Sequence, residues 1–145
     1  MKKNRISKNW INKQRRDIYV RQSKIEGYRS RAVYKLKEIN DKFKILRNGQ
    51  SIVDLGGAPG SWSQYLSSTL KNTKLLAIDL LEIQEIKNVK LMKGDFTDDI
   101  YKQKIKSFFN TKIDLVISDM AVNTTGNKNL DAIVTGELAM ESLEF

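Results

Sequence analysis

Three aspartates in this 145-residue chain end or follow runs of apolar residues. Asp79 closes Leu75-Leu76-Ala77-Ile78, Asp119 closes Leu115-Val116-Ile117-Ser118, and Asp95 sits in Lys93-Gly94-Asp95-Phe96. A fourth carboxyl, Asp54, comes just before Gly56-Gly57-Ala58-Pro59-Gly60, which holds three of the eight glycines and the single proline. A glycine-rich turn at the end of a strand lets a ligand approach the backbone closely, and a helix that starts after it offers free N–H groups. The segment is not a phosphate loop, because no Lys follows Gly60. Nor is it G-x-G-x-x-G, because Gly57 fills the x and Ala58 stands where the second glycine belongs. A lone Asp at a strand end serves equally well as a helix N-cap. Together the acids make a different pattern: one after the second strand suits a ribose diol, one after the third an adenine amino group, and one after the fourth faces a reacting centre. With the glycine turn they form a candidate adenosine site at the carboxyl ends of an open sheet.

The chain has no His and no Cys, which removes imidazole catalysis, thiol chemistry, disulfides and the usual zinc sites. Any catalysis rests on Lys, carboxylates or hydroxyls. The net charge is +9 and its distribution is uneven. Residues 1–50 carry 16 basic and 4 acidic side chains, a net of +12, whereas the other 95 residues are mildly acidic. A basic first third points to a polyanionic partner. The amino terminus lacks the apolar core of a secretory signal and no apolar run reaches the roughly 18 residues of a membrane span, so a cytoplasmic protein is expected.

The length suits one domain. Residues from about Asp17 to Ile25 have helical composition and stop at Gly27, and residues 1–16 read as a disordered basic tail. A second helix is expected with Ser30 as N-cap and Ala32, Leu36, Ile39 and Phe43 as its apolar stripe. Strands are expected at 51–55, 75–79, 89–93 and 113–118. Helices between them carry Trp62, Tyr65, Leu66 and Leu70, and later Ile100, Ile105, Phe108 and Phe109. This alternation predicts an open, doubly wound α/β sheet. Leu130, Ile133, Val134 and Leu138 share a helical face, so a final helix is expected, leaving four strands with the last one an uncovered edge.

The segments Ser30-Arg31-Ala32-Val33-Tyr34-Lys35, Val53 to Gln64, Asp79-Leu80-Leu81, Gly94-Asp95-Phe96 and Ser118-Asp119-Met120-Ala121-Val122-Asn123 together resemble the FtsJ-type ribosomal RNA 2′-O-methyltransferases, over roughly residues 10 to 145 and in the same order. The resemblance implies a Rossmann-like methyltransferase sheet preceded by a basic helical segment. It also implies S-adenosylmethionine as cofactor and methylation of a uridine ribose in large-subunit rRNA. The candidate cofactor residues are Asp54, Gly56, Gly60, Trp62, Asp79, Asp95 and Asp119, and Lys35 and Asp119 match two members of the family's Lys-Asp-Lys-Glu tetrad. Val122 stands where the family usually has Pro. The tetrad's second Lys and its Glu have no counterpart before Phe145, so the resemblance implies an amino-terminal portion of such an enzyme, with little or no transfer activity by itself.

On this basis residues 1–50 form an RNA-facing arm carrying Lys35, and residues 51–145 a partial methyltransferase domain. Arg29, Arg31 and Lys37 are expected near the active face, with Lys13, Arg15, Arg16 and Arg21 as phosphate contacts. The expected partner is large-subunit rRNA or the 50S subunit, with a monomeric protein and no metal or membrane. Two other possibilities stay open: a non-catalytic RNA-binding scaffold, and a 2′-O-methyltransferase of tRNA or another RNA. An NAD-dependent enzyme is disfavoured by the glycine pattern.

Overall fold

The computed structural model describes residues 8–119 and 133–135. Helices α1 (Lys8–Glu26) and α2 (Val33–Phe43) precede strand β1 (Ser51–Leu55). Helix α3 (Ser61–Thr69), β2 (Lys74–Asp79), β3 (Val89–Lys93), α4 (Asp99–Phe109), β4 (Leu115–Ser118) and β5 (Ile133–Thr135) follow. The sheet order is β3-β2-β1-β4-β5, with the first four strands parallel and β5 antiparallel to β4. Ile52 pairs with Leu75 on one side and Leu115 on the other, so β1 is bonded along both edges.

Period-two alternation divides the apolar residues between two helical layers. Val53, Leu55, Leu76, Ile78 and Val116 pack with Ile105 and Phe109 of α4. Ile52, Leu75, Leu115 and Ile117 pack on the opposite side with Leu36 of α2 and Trp62 and Leu66 of α3. Residues 33–43 therefore supply part of the layer that covers the sheet, although they lie within the basic third of the chain.

Several local expectations are corrected. Helix α1 begins at Lys8, so residues 8–16 are helical: the stretch has no Gly or Pro, and Tyr19 of α1 stacks on Tyr34 of α2 with ring centroids 5.1 Å apart. Ser30 is not the cap of α2. The helix starts at Val33 after Ala32, while the Ser30 hydroxyl accepts from Ala32 N–H and is hydrogen-bonded to the Ser61 hydroxyl at 2.8 Å. Phe43 overhangs the layer and is exposed, because the helix ends there and the chain turns away through Lys44 in a left-handed conformation.

At residues 133–135 the expected helix gives way to β5. Three β-branched residues, Ile133, Val134 and Thr135, pair with the free backbone edge of β4, so that edge is covered. The rest of the expected helix and the loop Met120–Asn123 lie outside the described residues.

Because Leu36 is fully buried among strand residues, Leu36→Ala should cost about 2–5 kcal/mol in urea unfolding. Circular dichroism and tryptophan fluorescence should follow one shared transition. A loss under about 1 kcal/mol would mean that α2 is dispensable to the core.

Candidate functional site

The parallel strands bring their carboxyl ends to one edge of the sheet, with β1 at the point where the chain order reverses toward β4. Such a switch point opens a crevice. Here it is about 170 Å³ and is lined by Ser30, Ala32, Asp54, Gly56 to Pro59, Ser61, Trp62 and Asp119. A larger cleft, about 680 Å³, lies at the opposite, amino-terminal ends of β2 and β3 around Thr73–Leu75 and Lys87–Lys90, away from the convergent polar groups. The smaller crevice is where the chemistry collects.

Two glycines shape the turn above β1. A Cβ on Gly57 would lie 2.9 Å from Asp54 Oδ2, so only hydrogen fits between the backbone and that carboxyl. Gly60 has φ +117°, which side chains rarely adopt, and a Cβ there would press on Arg29 and Ile86. The turn is held from outside by Arg29, a residue expected to meet RNA. Its guanidinium donates to the Pro59 carbonyl at 3.0 Å and to the Gln84 and Glu85 carbonyls at 2.7 and 2.8 Å. Arg29 thus bolts the glycine turn to the segment after β2, with three of its five guanidinium donors on backbone carbonyls. Gln64 completes the clamp by accepting from Arg29 N–H and donating to the Gly27 carbonyl.

The acids differ in what they hold. Asp79 accepts from Ala58 N–H at 3.0 Å and Leu81 N–H at 2.8 Å, which ties the end of β2 to the turn. Asp95 accepts from the hydroxyl and the amide of Thr97, and these two bonds keep its carboxyl below the usual carboxylate range. Asp54 is 2% exposed and occupies an inward position that alternation would give to an apolar residue. Burial pushes its carboxyl up to about 7, against the opposing effect of the Ser63 hydroxyl, which donates to it at 2.9 Å; the charges of Asp119 and Asp79 add to the rise. Trp62 is buried beneath the crevice with its indole N–H donating to the Ala32 carbonyl at 2.7 Å, so it joins the start of α2 to α3.

Across the crevice rim, Lys35 Nζ donates to Asp119 Oδ1 at 3.2 Å, linking residues 84 apart in sequence. Both side chains are about one-third exposed, open to a ligand. The remaining basic residues separate into two groups. Lys37 is paired with Glu26 and lies over the rings of Tyr28, Tyr34 and Tyr65; burial alone would lower its pKa, but Glu26 and Tyr28 outweigh it and raise it. Its charge is answered within the fold by Glu26. Lys13 and Arg16 of α1 instead share a surface hollow with Arg31, Asn9 and Asn12, and Arg15 and Arg21 are exposed on α1. The motif spacing had no way to register the Arg29 clamp or the Lys37 aromatic setting, since each depends on contacts between distant segments. The Ser63–Asp54 bond lies within the quoted turn motif and was the one legible local signal.

Sequence comparison matches residues 28–145 to the FtsJ-like methyltransferase family. The chain is 63% identical over 145 residues to the ribosomal RNA large subunit methyltransferase E of Pelagibacter ubique (strain HTCC1062), covering all of this chain and 71% of that protein. It is 46% identical to the protein of the same name from Rickettsia akari (strain Hartford), covering 96% of this chain and 64% of that protein. Among solved structures, a ribosomal RNA methyltransferase from Plasmodium falciparum aligns with a TM-score of 0.59 and 34% identity, over 81% of this chain and 66% of that one. The chain thus spans about two-thirds of the length of these relatives.

The Asp54 environment predicts a pH dependence of folding. In an unfolded chain this carboxyl ionises near pH 4, whereas in the folded protein it keeps its proton to about pH 7. The stability it contributes is complete below about pH 4, falls as the pH rises to about 7, and is level above. Asp54→Asn cannot ionise, so its stability relative to the native protein should rise by a few kcal/mol, as an order of magnitude, between about pH 4 and about pH 8 in urea unfolding. A pH-independent difference would mean that Asp54 is ionised throughout.

Proposed function

The chain belongs to the FtsJ-like methyltransferase family, and from that premise we propose that it takes part in S-adenosylmethionine-dependent methylation of a ribose 2′-hydroxyl, on a uridine of large-subunit rRNA. The observation that carries this reading is the Lys35–Asp119 pair at the rim of the crevice. It sets an ammonium beside a strand-end carboxylate, next to a glycine turn suited to a nucleoside.

The residues present fit such a cofactor. Gly57 lets the turn pack closely over Asp54, Gly56 to Pro59 line the crevice, and Asp79 and Asp95 stand at successive strand ends with lone pairs left over from their backbone bonds. In this assignment Asp79 receives the ribose hydroxyls, Asp95 the adenine amino group, and Gly56 and Gly60 line the approach. Trp62 supports the wall from beneath. When bound, S-adenosylmethionine supplies a methyl group on a cationic sulfonium, whose carbon–sulfur bond breaks as the ribose oxygen takes the carbon.

The protein's own part is alignment and charge. An ammonium has three donors; Lys35 uses one on Asp119 and can turn another toward the ribose oxygen, favouring the alkoxide that develops as the hydroxyl's proton passes to solvent water. Asp119 holds that ammonium in place and lies on the side of the crevice where donor and acceptor must meet. Holding both reactants in line can supply several kcal/mol of barrier reduction. Lys13, Arg16 and Arg31 provide a concave cationic surface, Arg31 lying between Ser30 and Ala32 of the crevice lining, and Arg15 and Arg21 extend it along α1 as phosphate contacts. Such a protein works in the cytoplasm, where the 50S subunit is its partner; among the described residues no helix is long and apolar enough to cross a membrane.

Calorimetric titration with S-adenosylmethionine tests the cofactor, and Asp79→Ala should weaken binding at least tenfold, roughly the value of one lost charged hydrogen bond. Lys35→Ala should keep that binding and lose methyl transfer in a tritiated-methyl assay on ribosomal subunits, run in the protein of full family length. Retained transfer would remove Lys35 from the chemistry. For RNA, replacing Lys13, Arg16 and Arg31 by Ala should reduce the slope of log affinity against log salt by about 0.7 for each lost single-strand phosphate contact. An unchanged slope would place the RNA elsewhere.

A further inference from the structure

Asp54 does more than the proposed transfer requires of it. It forms part of the crevice lining yet is almost wholly buried, and it stands on the central strand under a glycine that must lack a side chain to clear it. The groups facing it come from every neighbouring element: the Ser63 hydroxyl from α3, Asp79 from the end of β2, and Asp119 from the end of β4, itself paired with Lys35 of α2. Two of these carboxyls, Asp54 and Asp119, line the small crevice, Asp79 acts on Asp54 from the end of β2, and Lys35 supplies an ammonium at Asp119. A Leu or Val would fill the position of Asp54 at lower cost, because burying a carboxyl is expensive unless something offsets it.

We propose that Asp54 reads the charge of the bound cofactor: it gives up its proton to solvent when the cationic sulfonium donor enters and keeps it beside the neutral thioether product, so the crevice prefers donor over product. This rests on S-adenosylmethionine being the donor. The methyl group leaves the sulfur as an uncharged thioether, so transfer itself removes the positive charge that holds Asp54 ionised. The product then shares the crevice with a protonated, neutral acid and loses the attraction that the donor enjoyed. Product release is thereby coupled to proton uptake, with no moving lid.

Burial supplies the needed poise. The carboxyl sits at about 7 in the free protein, where a nearby cation can drive its ionisation. Linkage then makes donor affinity rise with pH until the group is ionised in the free protein as well. If the donor complex keeps Asp54 ionised throughout, affinity for S-adenosylmethionine should grow about tenfold between about pH 6 and about pH 8, beyond any change for S-adenosylhomocysteine.

The experiment is calorimetric titration of the whole chain with S-adenosylmethionine and with S-adenosylhomocysteine over that range, in two buffers of different ionisation heat. Near pH 7, donor binding should release about half a proton that product binding does not. Asp54→Asn should abolish both the additional release and the pH-dependent part of the affinity ratio, which corrects for titration of the ligands' own amino groups. Ser63→Ala, which removes the hydrogen bond favouring the ionised form, should move the midpoint to higher pH and carries the test if Asp54→Asn does not fold. Binding of both ligands with a ratio equally pH-dependent in native protein and variants would overturn the role of Asp54 and leave the cofactor standing. Binding of neither would overturn the cofactor itself.

Discussion

The structure depends on β1 being hydrogen-bonded along both edges by parallel strands. A strand in that position has both faces covered, so Ile52, Val53 and Leu55 anchor the two helical layers at once. Parallel pairing also sends every chain crossing out through the same end of the sheet. The acids that terminate β2 and β4, and the turn that terminates β1, therefore cannot avoid each other. The crevice follows from the strand order, with the glycine turn forming much of its wall.

Holding that turn in place takes more than its own residues. Arg29 reaches from the connection between α1 and α2 to three carbonyls on two separate loops, and Asp79 fastens the turn from the side of β2. A charged donor shared among backbone carbonyls is stronger than neutral hydrogen bonds and fixes direction as well as distance. The same economy governs Lys37, whose charge is neutralised by Glu26 and spread over aromatic faces. Of the strongly basic first third, part of the charge is thus used in contacts within the fold, while Lys13, Arg15, Arg16 and Arg21 of α1 and Arg31 face outward.

The carboxyls show how one residue type takes several roles through its surroundings. Asp95, exposed and bonded twice by Thr97, is easy to ionise; Asp54, sealed under the turn near two other acids, resists it. Asp119 is partly exposed and paired with Lys35. An exposed pair of this kind adds little to stability, and its value lies in fixing where an ammonium points.

Strands β1 and β3 were legible to the residue, because short apolar runs between turn-forming residues admit few alternatives. The glycine turn and the strand-end acids were equally legible, since their spacing follows from chain geometry. The start of α2 was not, because the Ser30 hydroxyl had a partner 31 residues away in Ser61, and a local capping rule cannot see it. Ile133–Thr135 carries a helical spacing of apolar residues, yet it pairs with β4, where an open sheet edge outweighs weak local preference. Sequence alone determined which residues could do chemistry and that they stand at successive strand ends, because those properties are written in residue type and period. Only the tertiary structure decided which charges are free to meet a ligand and which are spent on the fold, because that depends on burial and on partners brought together across long stretches of chain.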